Sequence, residues 1–259
     1  MYSQIFLSNF PTLTKQITLL KMQHLKPLLK SGCALFLLSS ILSLYSCENR
    51  VFQKGINEGK IEYDISYPNV PEDNVMLDLM PKKMRTTFIN NNYRSDIIAG
   101  MGIFKTSIIC KEGNDKLLHS IKMLRTKYAS ELTEEDFLKF SPEFNSIEVS
   151  FNDETKEIAG YSCKGADITV QGDSIWSFKV FYTDEIVINN ANSHTPFKEI
   201  AGVLMEYQLV SNNILMQFTA IKVLEEQVEL TDIDLEEGYE MIEPMKLKAE
   251  IEKLFSNIM

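Results

Sequence analysis

The 259-residue chain is poor in the residues on which most catalytic and metal chemistry depends, with 3 His, 4 Cys and 1 Trp. No two cysteines stand at Cys-x-x-Cys spacing, which excludes the common zinc frameworks and thioredoxin-like redox motifs. Gly-x-Ser-x-Gly, His-Glu-x-x-His and Walker-type loops are also missing, so no hydrolase, metalloprotease, nucleotide or other cofactor signature is present. Acidic residues are absent from the first 47 positions, where Lys15, Lys21, Lys26 and Lys30 carry the only side-chain charges. Setting those lysines aside takes the formal charge from -10 to -14 for the remainder. No basic stripe follows them, and without one there is no electrostatic footprint for nucleic acid. What the chain does have is 44% apolar and 24% charged residues, enough to build a core and outside the disordered range.

The N-terminus carries the strongest local signal. A basic stretch precedes the apolar run from Gly32 to Leu44, which is shorter than the roughly 20 residues of a spanning helix and fits a secretory signal peptide. The run ends in Leu44-Tyr45-Ser46-Cys47, which resembles the lipobox of bacterial lipoproteins, with Tyr45 where a small or aliphatic residue is usual. Small Ser46 admits a membrane-embedded peptidase, and the Cys47 thiol is the nucleophile that would take the lipid. The expected organisation is a signal peptide over 1–46, with 1–21 an over-extended start before Met22. A lipid-anchored tether over 47–58 and one domain over 59–259 follow. The membrane is thus a partner through the lipid on Cys47.

Within the domain, Lys60 to Tyr67 alternates strictly, placing Ile61, Tyr63, Ile65 and Tyr67 on one face of a half-buried strand. Glu72 to Met80 reads as a short helical link. Turn signals then predict a meander of strands over 84–89, 93–99, 104–110 and 116–124. Thr133-Glu134-Glu135-Asp136 is a capping-box-like helix start, stopped at Pro142. Strands resume at 146–151, and an Asn152-Asp153-Glu154 turn is expected to make a hairpin with 157–166. Further strands are expected over 168–170, 174–182, 203–210 and 214–224. The tail over 243–258 spaces Leu247, Ile251, Leu254, Phe255 and Ile258 as a helix with mixed charges opposite.

Chemistry-bearing residues are few. His119 alternates within a strand and His194 sits in an Asn-rich loop, neither with a partner at metal-ligand spacing, so both read as structural or solvated. The acidic run Glu225 to Glu237 lacks the glycine-bearing loop of an EF-hand and reads as a solvated strand or loop face, so no metal site is expected. Once Cys33 leaves with the signal and Cys47 takes lipid, Cys110 and Cys163 remain. They could form a disulfide only if their strands are neighbours in register.

Three stretches taken together, Ile158-Ala159-Gly160-Tyr161-Ser162-Cys163, Tyr182-Thr183-Asp184-Glu185 and Gly202-Val203-Leu204-Met205-Glu206-Tyr207, resemble a family of Gram-negative envelope lipoproteins of unknown function. The resemblance implies an α+β fold: a curved antiparallel sheet forming an unclosed barrel with a few short helices and a C-terminal helix. Such a fold is similar to the lipoprotein carrier LolA and to the mycobacterial lipid-binding lipoproteins of the LppX type. In those folds the concave face holds an apolar cavity, and with no catalytic motif in the chain the expected function is a non-enzymatic binding module holding an apolar ligand there, an acyl chain or a hydrophobic peptide segment. Glu48 alone after Cys47 is a weak version of the acidic clusters that send some such lipoproteins to the cell surface, so the expected address is the outer membrane facing the periplasm, with surface exposure the alternative. Candidate lining residues are Tyr63, Phe88, Trp176, Phe178, Met205, Met216 and Phe218, which would equally suit a solid core. In that second case the protein would be an interaction module docking another envelope component through its acidic surface.

Overall fold

Alternation sets the first strand. In β1 (Glu58–Ser66) Ile61, Tyr63 and Ile65 are buried, while on the other face Glu62 and Asp64 stand opposite Arg85 and Lys83 of β2 (Lys83–Ile89) and form ion pairs with them. Apolar residues thus define an inner face and cross-strand charges an outer one. The computed structural model describes residues 55–171, 175–211 and 214–256. The predicted signal peptide, Cys47 and residues 47–54 of the tether lie outside the described residues. Ile56 already bridges Ile186, so the folded unit begins before the expected boundary at 59.

The remaining strands are β3 (Asn92–Ala99), β4 (Phe104–Cys110), β5 (Leu117–Met123), β6 (Thr126–Leu132), β7 (Ile147–Ile158), β8 (Tyr161–Val170), β9 (Trp176–Thr183), β10 (Val203–Ser211), β11 (Ile214–Leu224) and β12 (Glu240–Met241). They form one sheet in the order β12-β6-β5-β4-β3-β2-β1-β11-β10-β9-β8-β7. Every named pairing is antiparallel except β12 with β6. The edges β12 and β7 do not meet, so the sheet is curved but not closed into a barrel, as the α+β expectation had it. All its strands find their partners within residues 58–241, so among the described residues the sheet is complete in itself and the described residues make a self-contained folding unit.

The capping box at Thr133 forms as expected. It starts α1 (Glu134–Phe140) with reciprocal bonds between Thr133 and Asp136, each 3.2 Å. A four-residue helix α2 (Leu230–Ile233) lies in the acidic segment, and α3 (Pro244–Ser256) closes the described chain with Leu247 fully buried. Among the described residues no helix is long and apolar enough to cross a membrane.

Two expectations are corrected here. Asn152-Asp153-Glu154 does not turn the chain but forms a bulge inside β7, across which the register jumps from Phe151 opposite Ala166 to Thr155 opposite Lys164. Gly165 makes room for it, because a Cβ there would stand 2.6 Å from Asn152 Oδ1. The hairpin turn falls instead at Ala159-Gly160, whose φ angles of 52° and 86° suit a two-residue turn of the twist-matched type. The second correction is β6, which had not been expected. Its sequence lacks clean alternation, and its hairpin turns through Leu124 at φ 53° rather than through a glycine or asparagine.

Candidate functional site

Inner-face positions of β1 to β5, β10 and β11 supply the floor of a groove. Its roof comes from α1, α3 and the loop between β9 and β10. The groove has two adjoining lobes. The upper lobe, about 150 Å³, lies between Tyr63, Tyr93, Leu117 and Tyr207 on the sheet and Ile188, Ala191 and Phe197 of the loop. The lower lobe, about 180 Å³, is bounded by Phe104, Ile121 and Met216, by Phe137 and Phe140 of α1, and by Lys248, Ile251 and Glu252 of α3. Met84, Ser95, Ile97, Ile108, Phe137, Leu209 and Phe218 belong to both walls.

The loop that closes the upper end is held by specific bonds. Asn91 Oδ1 accepts from the Asn189 N–H at 2.9 Å, Tyr93 OH donates to the Ala191 carbonyl at 2.9 Å, and Asn192 Nδ2 donates to the carbonyls of Ile200 (2.7 Å) and Gly202 (2.9 Å). Tyr63 OH donates to the Leu204 carbonyl at 2.9 Å. Burial, with Tyr207 and Cys163 nearby, holds the Tyr63 phenol well above its ordinary range, and burial beside Cys110 does the same for Tyr93. These tyrosines are neutral hydrogen-bond donors that fasten the roof to the floor. At the other end, Lys248 Nζ donates to the Lys139 carbonyl at 2.6 Å and stands 3.6 Å from Glu252, placing a charged pair at the border of the lower lobe.

Of the seven expected lining residues, Tyr63, Met216 and Phe218 line the groove. The other four do not. Phe88 and Met205 are fully buried in the main core, and Trp176 stacks on Phe178 at 5.0 Å beneath Phe144 and Phe197, which pack the β8–β9 wing solid. Thr86, Ser95, Thr106, Phe137 and Leu209 were not singled out in the sequence. Their signal, inner-face parity in strands or a short helix, is shared with every core residue.

Cys110 and Cys163 are both free, which corrects the expected pairing option. Cys110 lies on β4 and Cys163 on β8, and six strands stand between them in the sheet. Burial raises both thiols, that of Cys163 to about 11.

The acidic run is not simply a solvated face. It crosses the outer side of the sheet, burying Val228 and Ile233 against Ile109. There it meets Arg94, a residue the sequence reading passed over, whose side chain is only 5% exposed. Nε donates to Asp96 Oδ1 at 2.9 Å, Nη1 to the Asp234 carbonyl at 2.5 Å and Nη2 to Glu236 Oε1 at 2.8 Å. Burial pushes the Glu236 carboxyl up, but the Arg94 hydrogen bond and charge, with Lys105 beside them, outweigh it and bring it down to about 2. The run is a strap clamped on a buried guanidinium.

No family model and no curated sequence matches the chain. Among solved structures it is similar to PNGF-II, with a TM-score of 0.46 and 14% identity over 76% of this chain and 33% of that one. The chain therefore spans a third of that structure's length. LprF from Mycobacterium bovis aligns with a TM-score of 0.28 and 10% identity, covering 67% of this chain and 88% of that one. Both scores fall below 0.5, so the functional reading stands on the geometry of the groove.

Proposed function

We propose that the chain is a lipid-anchored, non-enzymatic binding module of the bacterial envelope that holds an acyl chain in the groove. The observation that carries this reading is the pair of adjoining apolar lobes, which share the walls built by Met84, Ile97, Ile108, Leu209 and Phe218. Each lobe has roughly the volume of an engineered 150 Å³ cavity that takes up benzene. Two such spaces side by side suit a thin, flexible hydrocarbon better than a bulky ring system. Met84 and Met216 adapt their shape to variable chains. The bordering Lys248 and Glu252 give a polar head group partners at the edge.

Anchoring rests on Cys47. Each buried methylene contributes about 0.8 kcal/mol, so several acyl chains on one cysteine hold the protein to a membrane durably. The excess of acidic residues beyond the signal keeps the domain off anionic lipid surfaces. The outer membrane, with the domain facing the periplasm, is the proposed address.

Native mass spectrometry of the chain from Glu48 onward, purified from a bacterial host, tests the binding reading. Co-purifying lipid, or stoichiometric uptake of a fluorescent fatty acid after delipidation, is the expected result. A clean apo mass with no uptake would overturn it in favour of an interaction module with a solid core.

A further inference from the structure

The floor of the groove is not uniformly apolar. Several of its polar side chains are satisfied by protein atoms: the hydroxyls of Thr86 and Ser95 lie 2.8 Å apart, and Tyr63 and Tyr93 donate to backbone carbonyls. His119, in the wall of the lower lobe, is only half satisfied. Its Nε2 stands 2.9 Å from Thr106 Oγ1. The Thr106 hydroxyl gives its one proton to the Ser120 carbonyl at 3.1 Å, so toward His119 it can only accept, and the ring carries its own proton on Nε2. Nδ1 is left as a bare acceptor that no hydrogen bond reaches among the described residues.

Directly opposite His119 in the β5–β6 register stands Ser130, 1% exposed, whose hydroxyl has no hydrogen-bond partner among the described residues. Residues so paired hold their Cβ atoms about 5 Å apart. Ser130 is not among the residues that line the lobe, so the lone acceptor on His119 is the polar group a ligand meets there, in a wall where an unpaired polar group is unfavourable.

From this juxtaposition, and resting on the acyl-binding reading above, we infer that the preferred ligand is an aliphatic chain bearing a hydroxyl group seated against His119. An alcohol fits because its hydroxyl donates to Nδ1. An ester or carboxylate oxygen can only accept, and would set lone pair against lone pair at Nδ1. A plain methylene leaves Nδ1 unpaired. Burial, which brings the His119 imidazolium down to about 4, keeps the ring a neutral acceptor at physiological pH.

Competition against a fluorescent fatty acid tests this in the delipidated chain from Glu48 onward. The competitors are octadecanoic acid and the positional isomers of hydroxyoctadecanoic acid. At least one hydroxylated isomer should bind about five- to tenfold more tightly than the parent acid, the gain of one added hydrogen bond. His119→Phe should abolish that preference, bringing the ratio of the affinities for the hydroxylated and the parent acid to about one. If no isomer is preferred, or the preference survives in His119→Phe, the hydroxyl assignment is overturned while acyl binding stands. If none of the acids competes and the probe itself does not bind, the acyl-binding reading fails and takes this inference with it. Should His119→Phe not fold, Thr106→Val serves in its place by releasing the tautomer. A weakened preference supports the assignment, and an unchanged one overturns it.

Discussion

Replacing Arg94 by leucine should release the acidic strap from the outer face of the sheet. The guanidinium is 5% exposed and makes three hydrogen bonds at 2.9 Å or less, to Asp96, Asp234 and Glu236, with Ser107 Oγ at 3.5 Å. Removing one partner of a fully buried ion pair costs about 3–5 kcal/mol. Here the penalty is smaller, because Glu236 is 52% exposed and can return to water, while Asp96 keeps Ser107 and Lys105. The Asp234 carbonyl loses its Arg94 donor, so a loss of roughly 2–3 kcal/mol is expected. Urea denaturation of the chain from Glu48 onward measures it, and hydrogen exchange over 228–237 reports whether the strap loosens first. The pH dependence adds an independent check. The Glu236 carboxyl is depressed in the folded state, to about 2, so its contribution is complete above the ordinary carboxylate range and is lost as the pH falls through about 2. The gap between wild type and Arg94→Leu should therefore narrow on acidification. A loss below about 1 kcal/mol with unchanged exchange in the strap would refute the clamp, since an exposed ion pair alone contributes no more than that.

Three further predictions concern the groove. Burying neutral His119 lowers its folded-state value to about 4 against 6.5 for the free side chain, so the unfolded state binds the proton first and stability falls as the pH drops from about 6.5 to about 4. His119→Phe should remove that slope, worth roughly 3 kcal/mol at 1.36 kcal/mol per unit; denaturant midpoints with parallel pH profiles would contradict it. Leu209→Trp puts bulk where both lobes meet and should abolish fatty-acid uptake at a stability cost of about 1–3 kcal/mol, and full uptake by a folded variant would place the ligand elsewhere. Cys110 and Cys163, buried with raised thiols, should resist a thiol reagent in the native chain from Glu48 and react only in denaturant; rapid native labelling would show that one of them is exposed.

Local physics was legible where one segment settles its own conformation. The alternation around Tyr63, the Thr133–Asp136 capping box and the helical period around Leu247 each predicted an element that forms. Composition misled where two segments competed for one role. Asn152-Asp153-Glu154 has the residues of a turn, yet the turn falls at Ala159-Gly160, both at positive φ, and the Asn-Asp-Glu excess becomes a bulge beside Gly165. Arg94 escaped notice because its partners Asp234 and Glu236 lie about 140 residues away.

The sequence by itself determined the acidic balance, the inner and outer faces of the strands, the helix starts, and the expectation of lipid on Cys47, since each depends on neighbours within a few residues or on composition. Only the tertiary structure decided which part of the inner face stays hollow. Strand parity says that Trp176 and Phe218 both point inward, but not that Phe144 and Phe197 arrive from a turn and a loop to fill the space over the first. Over β2 to β5 the floor is roofed instead by α1 and α3, which leave the two lobes open between them. A cavity is the space left when elements distant in the chain are brought together, and no local pattern encodes it.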